Sequence, residues 1–316
     1  MVTVIPTLPY SIKKVANDIA KHINGKVGNI GYYLNELIIG IGNPDPNMER
    51  ILRFNRKNVR KVYLVIEGTS VNTMTINNIK LYINTYKPEV YAPSKLSKFY
   101  LELMDIQIND VIHHAIELPE QYNQRFNPEI KIFSYGSGML ERKYPYFLEP
   151  MFKKMKEENK IYFYIKGGGN VRYRDYVSQY DETMYSNTDI SEYYMNIDVF
   201  VNLSGTEGFG LMPLEALSYG IPTIIPDISI FRETILQYWN NYPLLVKSTG
   251  NYYIWKFGEW RIPVFEYDAM EMYDLMKQIN EMSKEQYYDL KMQFIEKGRK
   301  MISEHYPLSL YDKFKL

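Results

Sequence analysis

Residues 196–234, NIDVFVNLSGTEGFGLMPLEALSYGIPTIIPDISIFRET, join apolar runs to a loop that carries glycine and to a helical segment. The apolar start, 198–203, predicts a buried strand, and 204–210 predicts a loop at its carboxyl end. A helix is expected at about 213–219, and a second strand at 223–225. This order is typical of a parallel sheet covered by helices. Doubly wound sheets of this kind bind ligands at the carboxyl ends of their strands.

The loop and the helix that follows it are suited to an anion and a sugar. Gly208 and Gly210 lack a Cβ, so backbone amides there can approach a ligand closely. Pro213 fits a first helical turn, where the free amides and the positive dipole end favour a diphosphate. Glu207 and Glu215, eight positions apart, can accept hydrogen bonds from the hydroxyls of a ribose or hexose. The plainer alternative is two solvated glutamates on either side of a glycine turn.

The rest of the chain repeats the alternation of short apolar runs and segments of helical period, which predicts an α/β protein with doubly wound sheets. At 316 residues, two domains are expected. Pro119 and Pro128 lie among polar residues at 117–129, which suits a linker. We therefore predict domains at 1–117 and 118–316, with the last helix a candidate to pack back on the first domain.

Further strands are predicted at 2–6, 61–66, 90–92, 111–116, 131–135 and 161–165. Further helices are predicted at 10–23, 77–86, 94–104, 145–156, 190–196, 269–281 and 284–303, and Ser283 is expected to cap the last of these. Residues 24–60 are ambiguous.

Composition restricts the classes of function. Lys plus Arg and Asp plus Glu both number 37, so no global field attracts nucleic acid. The absence of cysteine excludes disulfides and thiolate sites, and four histidines make a histidine metal site a poor expectation. No apolar run approaches the length of a transmembrane segment, and the start does not resemble a signal peptide. A cytoplasmic protein is expected, with peripheral membrane contact left open.

The run EGFGLMPLEALSYGIPTI at 207–224 resembles the retaining glycosyltransferases of family GT4. That resemblance implies the GT-B fold, in which two Rossmann-like domains face a cleft. It implies that Glu207 lies beside the donor sugar and that Glu215 binds the nucleotide ribose. The residues it implies as the lining of the sugar and diphosphate site are Gly208, Phe209, Gly210 and Leu211.

The segment SYGSGMLERK at 134–143 resembles the strand and loop of the same family that neutralise the donor diphosphate. Lys143 matches the family's lysine. Ser137 or Met139 stands where the family has arginine, and Arg142 is the candidate replacement. The alternative is that Arg142 and Lys143 are surface charges at a helix start. The remaining donor-binding residues implied here are Gly136, Ser137 and Gly138.

Acceptor residues are less well defined by the resemblance. Residues 90–117 are similar to the family's helix and strand near the hinge, which makes His114 a candidate cleft residue; the alternative for His113 and His114 is a partly exposed pair at a strand end. Glu67, at the end of a predicted strand, is a second candidate. The YIKGGGN segment at 164–170 is either a plain turn or a contact for the nucleotide base.

The resemblance implies transfer of a sugar from a nucleotide diphosphate sugar, with UDP or GDP preferred, to a hydroxyl of a glycan, lipid or protein. The transfer would retain the anomeric configuration and use no cofactor and no metal, since no D-x-D motif follows a strand. Two other hypotheses remain: a nucleotide-sugar binder without catalysis and a sugar-nucleotide epimerase. The nucleotide base, the sugar and the oligomeric state stay open.

Overall fold

A computed structural model describes residues 2–7, 10–34, 37–69, 71–136, 141–167, 172–183 and 190–315. The chain divides into two compact units. Unit 1 comprises Met1–Ala115, Ile254–Ile262 and Tyr306–Leu316, and unit 2 comprises Ile116–Tyr253 and Pro263–His305. Among the helices of the described part of the chain, none combines the length and the apolar character needed to cross a bilayer.

Unit 1 is built on a six-stranded parallel sheet with the strand order β2-β1-β3-β4-β5-β6. Its strands are β1 (Val2–Pro6), β2 (Lys26–Val27), β3 (Leu37–Gly42), β4 (Val59–Leu64), β5 (Glu89–Ala92) and β6 (Asp110–Val111). Its helices are α1 (Tyr10–His22), α2 (Pro46–Phe54), α3 (Thr73–Tyr86) and α4 (Lys95–Leu103).

The core of unit 1 follows from the composition of its central strands. β3 is a nearly continuous apolar run, and every residue of β4 except Arg60 is buried, as expected for parallel strands covered on both faces. Ile38, Val62 and Leu64 are fully buried in one cluster, against which Ile51 of α2 and Ile79 of α3 pack. The described part of 24–60, where the sequence is ambiguous, therefore supplies β2, β3 and α2.

Unit 2 contains a second six-stranded parallel sheet, with the strand order β12-β11-β10-β7-β8-β9. Its strands are β7 (Ile132–Gly136), β8 (Tyr162–Lys166), β9 (Gln179–Asp181), β10 (Val199–Val201), β11 (Thr223–Pro226) and β12 (Leu245–Val246). Its helices are α5 (Glu149–Glu158), α6 (Ile190–Met195), α7 (Leu211–Ser218), α8 (Ser229–Phe231), α9 (Ala269–Glu281), α10 (Lys284–Gln293) and α11 (Arg299–His305).

The strand order of unit 2 predicts the position of a ligand-binding crevice. Numbered from its own first strand, this sheet has the order 3-2-1-4-5-6 of nucleotide-binding domains. The chain leaves β7 toward β8 and β9, and then returns to the other side of β7 as β10. The crevice between the carboxyl ends of β7 and β10 is therefore the topological switch point, where open α/β sheets bind their ligands. Both units are Rossmann-like parallel-sheet α/β structures, and the predicted fold class is confirmed.

A two-stranded hairpin that the sequence pattern did not predict follows β12. It consists of β13 (Ser248–Phe257) and β14 (Trp260–Tyr267). The run from Tyr252 to Phe257 is apolar and aromatic at nearly every position, so it lacks the alternation that marks a strand with one wet face. The side chains of Tyr252, Ile254 and Phe257 are nevertheless exposed.

The segment predicted as a linker, 117–129, contains no helix or strand, yet Asn123 is fully buried within unit 2. Its Nδ2 donates to the carbonyl oxygens of Tyr194 and Ile197, both at 2.7 Å. Lys291 of α10 donates to Asn123 Oδ1 and, at 3.0 Å, to the carbonyl oxygen of Arg125. Unit 2 begins at Ile116, so this segment belongs to unit 2.

Several predicted elements have other bounds in the structure, and two differ most clearly. The strand predicted at 111–116 ends at Val111, and the long helix predicted at 284–303 is interrupted by a π-helical turn at Phe294–Gly298. Ser283 does cap α10, through a reciprocal capping box with Gln286. The last helical turn of the chain, Leu308–Phe314, belongs to unit 1, whereas α10 and α11 belong to unit 2.

Candidate functional site

The loop between β10 and α7 is fixed from two sides at Gly205. The Gly205 amide donates to the carbonyl oxygen of Arg142 at 2.9 Å, and its own carbonyl oxygen accepts from the amide of Phe265 in β14 at 2.9 Å. A Cβ at Gly205 would lie 2.5 Å from Val264 Cγ1, so a larger residue cannot replace it without movement. The unpredicted hairpin therefore supports the loop that the sequence singles out.

Glu207 lies between two cationic side chains that come from a segment distant in sequence. Lys143 Nζ donates a hydrogen bond to Glu207 Oε1, and Arg142 Nη1 lies 3.8 Å from Glu207 Oε2. Arg142 Nη1 also donates to the carbonyl oxygen of Thr206 at 3.2 Å. Only about a tenth of each of these three charged side chains is exposed: 10% for Arg142, 13% for Lys143 and 10% for Glu207. The alternatives of surface charges at a helix start and of a solvated Glu207 therefore do not hold.

Both parts of this group lie at the switch point of unit 2. Arg142 and Lys143 form a 3-10 turn, Glu141–Lys143, that follows β7, and Glu207 follows β10. β7 and β10 are neighbours in the sheet, and parallel strands end at the same edge. Two formal positive charges and one formal negative charge thus lie at the edge where open α/β sheets bind their ligands.

The start of α7 is shaped by Gly210, which precedes Leu211. Its φ of +87° is a left-handed conformation that side chains disfavour, and a Cβ there would lie 2.7 Å from Phe231 Cε1. Glu215, in the second turn of α7, is 5% exposed. The hydroxyl of Tyr194 lies 3.3 Å from Glu215 Oε2 and 2.9 Å from the carbonyl oxygen of Met212. Glu215 is therefore a buried carboxylate with a fixed neighbour.

Four of the other predicted donor residues lie at the same edge of unit 2. Gly136 is the buried last residue of β7, Gly208 and Phe209 are buried in the loop after β10, and Leu211, partly buried, begins α7. Ser137, Gly138 and Met139 lie outside the described residues, as do 168–170 of the YIKGGGN segment.

A charged pair at the next strand ends was not predicted. Lys166, the last residue of β8, donates to Asp181 Oδ2 at 2.6 Å, and the hydroxyl of Tyr164 donates to the same oxygen at 3.1 Å. Burial would raise the pKa of Asp181, but hydrogen bonds from Lys166 and Thr183 outweigh burial and hold that pKa well below its usual range. Lys166 could have been noticed in the sequence as a lysine at the end of an apolar strand. Asp181 could not be identified as its partner, because the pairing of β8 with β9 brings the two together.

The two predicted acceptor candidates lie in unit 1. His114 is 1% exposed, and its Nδ1 lies 3.1 Å from the hydroxyl of Tyr63. Burial first, and then the charges of His113 and Lys14, lower the pKa of His114 to about 3, so its imidazole is neutral at physiological pH. The alternative of a partly exposed pair at a strand end is therefore wrong for His114, which lies beyond the end of β6 at Val111.

Glu67 is partly exposed and follows the end of β4. The next residues, Gly68 and Thr69, contact the hairpin segment of unit 1: Thr69 and Arg261 exchange two backbone hydrogen bonds of 3.0 and 2.9 Å. In the part of the chain that the structure describes, no group of three or more His, Cys, Asp or Glu side chains is arranged to hold a metal ion.

Comparison with known proteins finds similar sequences and similar folds. Residues 117–247 match the family Glycosyl transferases group 1. The chain is 26% identical over 307 residues to the uncharacterized glycosyltransferase 335 of Sulfolobus islandicus rod-shaped virus 1, an alignment that covers 85% of this chain and 89% of the viral protein.

Two solved structures share the fold at low sequence identity. HepE of Anabaena, in complex with UDP and glucose, superposes with a TM-score of 0.65 at 11% identity over 99% of this chain and 98% of HepE. A variant of S. aureus TarM, in complex with fondaparinux, alpha-GlcNAc-glycerol and UDP, gives a TM-score of 0.62 at 17% identity over 88% of this chain. The chain spans about half of TarM, 54% of its length. Residues 117–247 thus match the glycosyl transferases group 1 family, within a chain whose fold is the GT-B fold of these solved structures.

Proposed function

We propose that this protein is a retaining, metal-independent glycosyltransferase that moves a hexosyl unit from a nucleotide diphosphate sugar to a hydroxyl acceptor. One observation carries the proposal: Arg142, Lys143 and Glu207 form a compact charged group at the switch point of unit 2. Glu215 lies on the helix that follows the same loop. This arrangement has the charges that a diphosphate-linked sugar requires.

The two cations have the task of stabilising the leaving group. As the glycosidic bond breaks, the nucleoside diphosphate gains negative charge, and preorganised positive groups lower the energy of that state. Lys143 is hydrogen-bonded to Glu207. We infer that a bound diphosphate competes with Glu207 for Lys143 and Arg142. The free amides at the start of α7 add a positive dipole end to the same site.

The two glutamates have separate tasks in the proposal. Glu207, in the loop, holds a hydroxyl of the donor sugar, and Glu215, inside α7, holds the ribose of the nucleotide. Both carboxylates are largely buried, so hydrogen bonds that they accept from a ligand replace few hydrogen bonds to water. Gly208 and Gly210 let the intervening backbone approach the ligand.

The proposed reaction balances without a protein nucleophile. The bond between the anomeric carbon and the phosphate oxygen breaks, and the acceptor oxygen bonds to that carbon from the same face. The acceptor proton passes to the departing phosphate oxygen. Lys143, Arg142 and the amides of α7 supply the charge stabilisation, which makes the proposed reaction independent of a divalent metal.

UDP-sugars are the proposed donors. This choice of donor is supported by the fold shared with HepE and TarM, whose structures contain UDP. The acceptor is a hydroxyl of a glycan, a lipid or a protein, for which Glu67 remains a candidate contact. His114, being buried and neutral, is at most an indirect contributor on the acceptor side.

Product analysis tests the proposal. The full chain is incubated with UDP- and GDP-sugars of several hexoses and with a panel of sugar and glycerol acceptors, and products are analysed by mass spectrometry and proton NMR. A new glycoside with the anomeric configuration of the donor is expected. An inverted glycoside contradicts retention, and an epimerised donor indicates an epimerase. An unchanged donor that raises the melting temperature indicates a binder without catalysis.

A further inference from the structure

We propose that Tyr194 is a positioning residue for ribose recognition: its hydroxyl sets the orientation of the Glu215 carboxylate. The inference rests on the proposed function, because Glu215 is the residue proposed to bind ribose. Tyr194 lies in α6, outside the segments 134–143 and 204–215 that are predicted to bind the donor. What brings it to the site is the packing of α6 against α7.

The ring of Tyr194 is held from two directions. It stacks on Tyr219, which follows α7, with a centroid separation of 5.1 Å and an interplanar angle of 26°. It also makes an edge contact with Tyr193 at 5.0 Å and 69°. The side chain is fully buried. A ring packed in this way leaves the position of its hydroxyl oxygen little freedom.

That hydroxyl meets α7 at two points. Its oxygen lies 2.9 Å from the carbonyl oxygen of Met212 and 3.3 Å from Glu215 Oε2. A hydroxyl carries one proton, so Met212 and Glu215 share it. The terminal torsion of a glutamate is soft, and its carboxylate rotates readily when it is free. A hydrogen bond to Oε2 restricts that rotation and fixes the plane of the carboxylate before a ligand arrives.

A second hydrogen bond between α6 and the end of α7 restricts the movement of Tyr194 relative to Glu215. Ser191, one turn before Tyr194, lies 2.8 Å from the hydroxyl of Tyr219, measured from its Oγ. α6 is therefore tied to both ends of α7, at Met212 and at Tyr219. Preorganisation of this kind strengthens binding because less orientational freedom is lost when the ligand binds.

The neighbouring Tyr193 provides a matched control. It is also buried, and its hydroxyl also makes a hydrogen bond, but to Ser134 Oγ in β7 at 2.8 Å. Tyr193→Phe and Tyr194→Phe each remove one buried hydroxyl from adjacent positions of one helix. They differ in that Tyr194→Phe removes the neighbour of Glu215.

The experiment measures ribose discrimination in the full chain. Dissociation constants of UDP and GDP, and of their 2′,3′-dideoxy forms, are determined by calorimetry for the wild type, Tyr194→Phe, Tyr193→Phe and Glu215→Gln. The ratio of the dideoxy constant to the ribo constant reports the contacts to the ribose hydroxyls. The dideoxy constant itself reports whether the rest of the site is intact.

We expect Tyr194→Phe to lower this ratio by about fivefold to tenfold, while the dideoxy constant changes less than about twofold. Tyr193→Phe should leave the ratio within about twofold of wild type. If Glu215→Gln lowers the ratio and Tyr194→Phe does not, the inference about Tyr194 is wrong and the proposed function survives. A wild-type ratio near one, or no binding of either nucleotide pair, overturns the ribose role of Glu215 and this inference with it.

Discussion

Lys143 hydrogen-bonds to the carboxylate of Glu207 although 64 positions separate them in the sequence. The contact exists because β7 and β10 are adjacent in the sheet of unit 2, so the segments that follow them meet at one edge. Lys143, which is proposed to stabilise the leaving group, therefore pairs with Glu207, which is proposed to hold the donor sugar.

Lys143→Ala should lower donor turnover at least about tenfold, about 1.4 kcal/mol of barrier, because the departing diphosphate loses one of its two proposed cations. The measurement is the initial rate of UDP release. Lys153→Ala is the control, since Lys153 is an exposed lysine on α5 paired with Glu149, and it should keep the wild-type rate. If both Lys143→Ala and Glu207→Ala retain more than a tenth of the wild-type rate, the assigned roles are wrong.

Glu207→Gln should separate nucleotide binding from transfer. Without the carboxylate, Lys143 and Arg142 no longer have to leave an anionic partner, so UDP should bind about threefold to tenfold more tightly. Transfer should fall at least about tenfold, because the contact proposed for the donor sugar is weakened. Calorimetry with UDP and the transfer rate give the two values. Weaker binding of UDP by this variant would contradict the competition between Glu207 and the diphosphate.

Gly210→Ala should destabilise the protein by about 2–4 kcal/mol. A left-handed conformation costs an alanine about 1 kcal/mol, and contact with Phe231 adds the cost of overpacking. Gly250→Ala is the matched control: its φ is +82° and no heavy atom lies within 4 Å of the added Cβ, so only about 1 kcal/mol is expected. Urea unfolding measures both variants, and equal losses would contradict the role given to Phe231.

His114 should make stability depend on pH in acid. Its pKa is lowered by burial to about 3 in the folded chain, against about 6.5 when unfolded. Between these values only the unfolded chain binds the proton, so the free energy of unfolding falls by about 1.4 kcal/mol for each pH unit below 6.5. The stability contribution is complete above pH 6.5. Urea unfolding at pH 7.5, 5.5 and 4.5 should show a shallower dependence for His114→Gln, and an identical dependence would contradict the prediction.

The sequence predicted those parts of the molecule that depend on local pattern. Helix α9 was predicted with both of its ends, and the strand, loop and helix around Glu207 are present, because apolar period, glycine and proline act within a few residues. The hairpin of β13 and β14 was missed because its aromatic run lacks strand alternation. Its partners, Gly205 and Thr69, are distant in sequence.

The identities of several residues in the candidate site could be predicted from the sequence. The contacts between them could be predicted less well. Glu207 and Glu215 follow from the pattern of loop and helix as well as from the resemblance, and Lys143 follows from the resemblance; their roles stay predictions. That Arg142 lies near Glu207, and that Tyr194 lies near Glu215, follows from strand order and helix packing, which no local pattern encodes. Lys166 and Asp181 meet for the same reason.

The burial of Asn123 decides where the second half of the chain can be cut. A fragment that starts at Pro128 would omit Asn123 and the carbonyl oxygen of Arg125, and would leave the buried ammonium of Lys291 without these two hydrogen-bond acceptors. That fragment should aggregate or unfold, although it contains all six strands of the unit 2 sheet. Expression boundaries for crystallography of unit 2 therefore belong upstream, at Ile116.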